Sequence, residues 1–212
     1  MLIGITSATC QRNHKNAIQF ASEIGIQFLQ IYLGSEDLQE GDDYFLGISK
    51  LADRLKIGLI THISEDLNCK DLDEISRKHF LVLENQEKKI AVLHSNASLK
   101  ENIIKTFNEK GITVYIENYH RGISKKSELL KHDEFVEFVI RSSDIYDVGA
   151  VVDFPRYFGD EDADSAKKIK GLIVKDLEEF QRVGVSVLFH TIGKKVFRQV
   201  EETGLFLGTA MI

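Results

Sequence analysis

Cysteine, long apolar runs, linker-type segments and a surplus of positive charge are all scarce in this sequence, and each scarcity excludes something. Cysteine occurs only at Cys10 and Cys69. Two residues cannot build a disulfide scaffold, and a reducing, cytoplasmic setting is the simpler expectation. No apolar run approaches the ~20 residues of a membrane span, and the opening MLIGITSATC has no basic stretch ahead of an apolar one. A soluble chain is expected. Lys plus Arg number 27 against 33 Asp plus Glu, a formal charge of -6, so there is no electrostatic reason to expect a nucleic-acid partner. No Pro- or Ser-rich linker divides the chain, which argues for one domain over 1–212.

What is present is ordinary globular material. The 212 residues are 43% hydrophobic and 28% charged, enough to fill a sizeable core. The useful pattern is a repeated phrase: SEIGIQFLQIYL (22–33), NEKGITVYIEN (108–118), QRVGVSVLFH (181–190) and EETGLFLG (201–208). Each reads as a helix end, a glycine suited to the left-handed position that follows a helix, and a β-rich apolar run. The glycines are Gly25, Gly111, Gly184 and Gly204. ADRLKIGLITHI (52–63) follows the same plan without a glycine at that place.

Eight strands are expected near 2–7, 28–33, 57–63, 89–94, 112–117, 148–153, 185–190 and 205–210. Runs such as AVVDF and VSVLF are apolar on both parities, as a parallel sheet covered on both faces requires. Helical stripes lie between them, for example Phe45, Ile48, Leu51, Ala52 and Leu55. Ser98 and Glu101 form a capping box for a helix over 99–110. Alternating βα units with eight strands point to an α/β fold, a compact (β/α)8 TIM barrel with short loops. An open doubly wound sheet is the rival, but the first strand is followed by SATCQRNH rather than a glycine-rich phosphate loop.

Active sites of such barrels lie at the C-terminal strand ends. Here five consecutive strands each end on an ionisable group: His62, His94, Glu117 (followed by Asn118), Asp153 and His190. A lone histidine at a strand end is more often structural. Five at one rim must neutralise one another or a bound cation, because burying an unpaired charge costs several kcal/mol. Mixed imidazole and carboxylate ligands suit Zn2+, Mn2+, Co2+ or Fe2+ better than Ca2+.

These strand ends resemble those of the xylose isomerase-like barrel superfamily, which includes sugar isomerases, sugar epimerases and the endonuclease IV family. The resemblance spans nearly the whole chain through short motifs. It implies a divalent metal (Mn2+, Zn2+, Mg2+ or Co2+) held by Glu117, Asp153 and His190. The glutamate that the epimerase branch carries on strand eight has no counterpart in LFLGTAMI, which offers Gly208 and Thr209. Histidines on strands three and four belong to the endonuclease branch, and His62 and His94 match them. That branch has a histidine three residues after the strand-six aspartate, where this chain has Arg156.

The reaction implied is proton transfer next to a carbonyl of a small sugar or sugar-phosphate substrate. Glu117 and His94 are the expected catalytic residues. His62, His94, Asn118, Arg156 and Lys194 are the expected substrate contacts, with Lys195 and Arg121 further candidates for an anionic end. The guanidinium of Arg156 could instead pair with a carboxylate in place of a cation. Alternatives are a catalytically degenerate barrel that binds a ligand or protein partner, and, more weakly, a phosphodiesterase of the endonuclease type. A homo-oligomer is compatible with the sequence. The bland reading suits His79 and His132, in charged helical stretches and expected to face solvent, and the acidic segment 159–164, expected to be a solvated loop.

Overall fold

The structure, a computed structural model, describes residues 2–10, 13–63, 71–95, 101–118, 132–153, 157, 166–190 and 209–211. Strands and helices alternate from the start: β1 (Leu2–Thr6), α1 (His14–Glu23), β2 (Phe28–Leu33), α2 (Asp42–Leu55), β3 (Gly58–Ile63) and α3 (Leu72–Leu83). They continue through β4 (Ile90–His94), α4 (Glu101–Glu109), β5 (Thr113–Glu117), α5 (His132–Ser143), β6 (Val148–Asp153), α6 (Ala166–Val183) and β7 (Val187–His190) to β8 (Thr209–Met211).

Successive strands pair in parallel from β1 to β7, so a parallel sheet curls with its helices outside, as expected. The short β8 completes the ring between β7 and β1, but it runs antiparallel to both. The sequence pattern treats it as an eighth like unit, and the structure corrects this. A strand edge can bond a neighbour of either sense, so an apolar run marks a strand without fixing its direction.

The helix-to-strand phrase has a common stereochemistry. Gly25, Gly111 and Gly184 take φ of 72°, 71° and 77°, and Lys56 takes the same left-handed position at φ 58°. In each case the next residue reaches back five positions: Ile26 N–H to Ala21 O, Ile57 to Ala52, Ile112 to Phe107 and Val185 to Phe180, at 2.9–3.1 Å. This closing bond ends the helix and launches an apolar residue into the strand. The fourth glycine, Gly204, and the capping residue Ser98 lie outside the described residues.

Alternation along the strands divides the core in two. The larger part lies between sheet and helices and includes Ile18, Leu29, Phe45, Phe107, Ile116, Phe135 and Phe180. The smaller fills the inside of the ring with Ile60, Ile90, Val92, Tyr115, Val151 and Leu188. Gly149 pairs with Tyr115 in register, and a Cβ there would overlap the Tyr115 ring. The missing side chain is what makes room for the aromatic.

Several polar residues of the helical layer are buried, His79 and Asp176 among them. His79 of α3 is fully enclosed with its ring edge-on to Phe107 at 5.7 Å, which corrects the expectation that it faces solvent. Its neighbours one turn away, Ile75, Ser76, Val82 and Leu83, are buried too, so the α3 stripe carries it inward. His132 begins α5, but its side chain lies outside the described residues, as does 159–164. Tyr157 is also fully buried, and its hydroxyl donates to Asp176 Oδ2 of α6 at 2.6 Å. A buried hydrogen bond to a carboxylate is worth about 1.5–3 kcal/mol. Tyr157→Phe is expected to lower unfolding free energy by about that amount, read as a fall in urea midpoint at constant slope.

Candidate active site at the strand ends

The residues inside the ring lead directly to the polar rim. Two positions beyond Ile60, Val92, Tyr115, Val151 and Leu188 come His62, His94, Glu117, Asp153 and His190. Side chains repeat every two residues along a strand, so His62, His94, Glu117 and Asp153 occupy inward-pointing positions, and the backbone of His190 takes the matching register position. Register carries the series around the ring. His94 pairs with Glu117, and Asp153 with His190. His62 pairs with Val92, two before His94, and Glu117 with Val151, two before Asp153. This alternating stagger is what tilted barrel strands produce, and it keeps the five positions in one layer.

Three of the side chains meet. His94 Nε2 lies 2.8 Å from Glu117 Oε2, His62 Nε2 lies 3.0 Å from His94 Nε2, and His62 Nε2 lies 3.7 Å from Glu117 Oε2. Glu117 is 1% exposed and His62 8%, so the cluster is nearly out of reach of bulk water. Among the described residues it is the group of histidine and acidic side chains able to grip a metal ion. Of the expected ligand set Glu117, Asp153 and His190, the structure brings Glu117 together with the two histidines of β3 and β4, a group that does not include Asp153. The backbone of His190 holds its register position, while its side chain lies outside the described residues.

Neighbouring residues hold the cluster. The His62 ring packs at a tilt on Tyr32 of β2, centroids 5.4 Å apart, and crosses His94 edge-on at 4.8 Å. Asn118 is fully buried and brackets the backbone of Asp153. Its Oδ1 accepts the Asp153 N–H at 2.7 Å, and its Nδ2 donates to Asp153 O at 3.2 Å. An amide expected to touch substrate thus ties the end of β5 to the end of β6. Arg121, Arg156, Lys194 and Lys195 lie outside the described residues.

Gln30 is a site residue that the strand-end pattern does not single out. It is buried in β2 at 6% exposure, and its Nε2 lies 2.8 Å from His62 Nδ1. The available signal was its parity: in FLQIYL it shares the inward face with Tyr32, where an apolar residue would be ordinary. Farther round the rim, His14 at the start of α1 bonds through Nε2 to Asp37 Oδ1 at 3.0 Å. Asp37 Oδ2 accepts the Gly34 N–H at 2.8 Å. These contacts stitch the first two βα loops together. Burial, and then the Asp37 charge, push the nearby Tyr44 phenol up to about 12.

No protein-family model matches the chain, and no curated protein matches it. Solved structures do. A D-psicose 3-epimerase from Clostridium cellulolyticum H10, solved with D-tagatose, is 14% identical with a TM-score of 0.59, covering 95% of this chain and 89% of that one. A xylose isomerase domain protein from Planctomyces limnophilus is 11% identical with a TM-score of 0.55, covering 95% of this chain and 94% of that one. A 3-dehydroquinate dehydratase from Geobacillus kaustophilus HTA426 is 9% identical with a TM-score of 0.56, covering 91% of this chain and 74% of that one. These likenesses show the fold alone, a TIM-barrel scaffold that the chain shares with these proteins. The dehydratase shows that this likeness concerns the scaffold and leaves the chemistry to the site. Among the described residues no helix is long and apolar enough to cross a membrane.

Proposed function

We propose that the chain is a divalent-metal-dependent sugar or sugar-phosphate isomerase or epimerase, built on 1–212 as one domain of the (β/α)8 type. The triangle of His62 Nε2, His94 Nε2 and Glu117 Oε2 carries this reading. Three lone-pair atoms with edges of 2.8, 3.0 and 3.7 Å are held together by shared protons or by a cation. Donors bound tetrahedrally to one ion at 2.0–2.2 Å stand about 3.3–3.6 Å apart, a separation that the three edges bracket. Two imidazoles and a carboxylate are a donor set for Zn2+, Mn2+ or Co2+, so the residues present fit such an ion.

His62, His94 and Glu117 would hold it, and the ion would polarise a substrate carbonyl. Glu117 is the base in this reading: Oε1 is not a vertex of the triangle and can take a proton from the carbon beside that carbonyl. His94, against Oε2, fixes the carboxylate. Asp153 and His190, next in the inward series, supply further donors for substrate hydroxyls or the ion. Asn118 aligns Asp153. Arg156 and Lys194 are assigned the anionic end of a phosphorylated substrate.

The test is calorimetric. Zn2+ or Mn2+ at about 100 times its Kd stabilises a binding protein by about 2.7 kcal/mol, a Tm rise of roughly 5–10 °C at this size. The wild-type chain is expected to show that rise and His94→Ala to lose it. Elemental analysis showing no metal in the purified protein, together with no rise, overturns the reading in favour of a ligand-binding barrel without chemistry. One observation favours a second reading: the histidines of β3 and β4 meet the β5 glutamate, the pairing that the endonuclease resemblance implied. Its test is nicking of abasic-site DNA in the presence of Zn2+. The net charge of -6 gives that substrate no electrostatic help, and no cleavage is expected.

A further inference from the structure

We infer that Gln30 sets the tautomer of His62, its side-chain amide rotating as the triangle passes from proton-held to cation-held. The inference rests on the metal-centre reading above. Burying an amide is costly unless it is bonded, and a leucine or methionine would fill this inward position of β2 without that cost. What Gln30 adds is a 2.8 Å contact to His62 Nδ1, the ring nitrogen that is not part of the triangle. A neutral imidazole carries one N–H, and the partner of one nitrogen decides the state of the other.

With the Gln30 –NH2 toward Nδ1, as in the structure, Nδ1 accepts. The ring proton is then on Nε2, directed at the edge shared with His94 Nε2 3.0 Å away. This is the proton-held triangle. For Nε2 to offer its lone pair to a cation, the proton must move to Nδ1, which then needs an acceptor. A half-turn of the Gln30 amide about Cγ–Cδ places its carbonyl oxygen there within the same volume. Leucine can serve neither state, and ionised glutamate serves only the second. Glutamine serves both. Hydrogen bonds of this kind behind a metal-ligating histidine fix its tautomer and orientation, and the tilted Tyr32 ring packs against the imidazole with centroids 5.4 Å apart. Gln30 is thus a positioning residue acting through His62.

Long-range 1H–15N correlation spectra of the whole chain, labelled at histidine and recorded near pH 8, test this directly. Without metal, wild-type His62 is expected as the Nε2–H tautomer. With Zn2+ it is expected as Nδ1–H. Gln30→Glu is expected to show Nδ1–H before any metal is added and to bind Zn2+ at least as tightly as wild type. Gln30→Leu is expected to bind Zn2+ about 10–100-fold more weakly. Finding Nδ1–H in the metal-free wild type overturns the proposal without recourse to a variant. So does a Gln30→Leu chain with unchanged His62 tautomer and unchanged Zn2+ affinity. If the wild type binds no Zn2+, the metal-centre reading fails by itself, and the His62 tautomer in wild type against Gln30→Leu still decides whether Gln30 governs it.

Discussion

Glu117→Gln is expected to cost at least about 10³-fold in kcat on any sugar that the wild type turns over. A positioned base contributes 10²–10⁴-fold, and this substitution also replaces an anionic ligand by a neutral amide. The same change is expected to remove most of the metal-induced rise in Tm. It conserves the shape of a side chain that is 1% exposed, so the metal-free Tm should move little. That contrast separates a chemical role from a structural one. Truncation to alanine does not provide it, because emptying a buried pair leaves the partner unsatisfied and costs about 3–5 kcal/mol in its own right. Steady-state kinetics and calorimetry on the same preparation make the measurement. A Glu117→Gln enzyme within tenfold of wild-type kcat would remove Glu117 from the role of base.

Acid should destabilise the chain through His79. Among the described residues neither of its ring nitrogens has a hydrogen-bond partner, and burial pulls its pKa down from 6.5 to about 3. The unfolded chain therefore binds this proton more readily than the folded one between those two values, so stability rises with pH across the interval and is lost as pH falls. Each unit is worth 1.36 kcal/mol, which gives a loss of about 2 kcal/mol between pH 6.5 and pH 5. His79→Leu is expected to flatten that slope. At pH 7 it should be neutral or stabilising, since it removes an unsatisfied polar group. Urea titrations at pH 5 and pH 7 on both proteins provide the check. An unchanged pH slope in His79→Leu would show that other groups carry the acid sensitivity.

The two histidines treated most differently by sequence reasoning show what a sequence reveals. His94 was legible because an apolar strand delivers it to a rim where four other strands do the same. His79 was misread because Arg77 and Lys78 directly before it are charged, although its partners three and four residues away are apolar or small. Spacing mattered more than adjacency. Strand limits followed the same logic: β2 and β6 fall on the expected residues, because a turn or left-handed cap precedes each run. The sense of β8 was not legible, since pairing partners, not local pattern, determine direction. The site was legible as a set of inward strand ends but not as a set of contacts. Which three would touch depends on side-chain reach, and Gln30 is visible only once β2 lies beside β3.

The ring's interior is a small column whose members sit immediately beneath the polar rim, while a separate and larger apolar shell glues helices to sheet. The two compartments answer different demands. Loosening the shell should show first in melting behaviour. Shaving a methyl group from Val92 or Val151 should instead let His94 or Asp153 settle by a fraction of an ångström, detuning the mouth in a molecule that still folds. Such a floor would let a lineage retune reactivity by altering buried hydrocarbons, leaving every polar group in place.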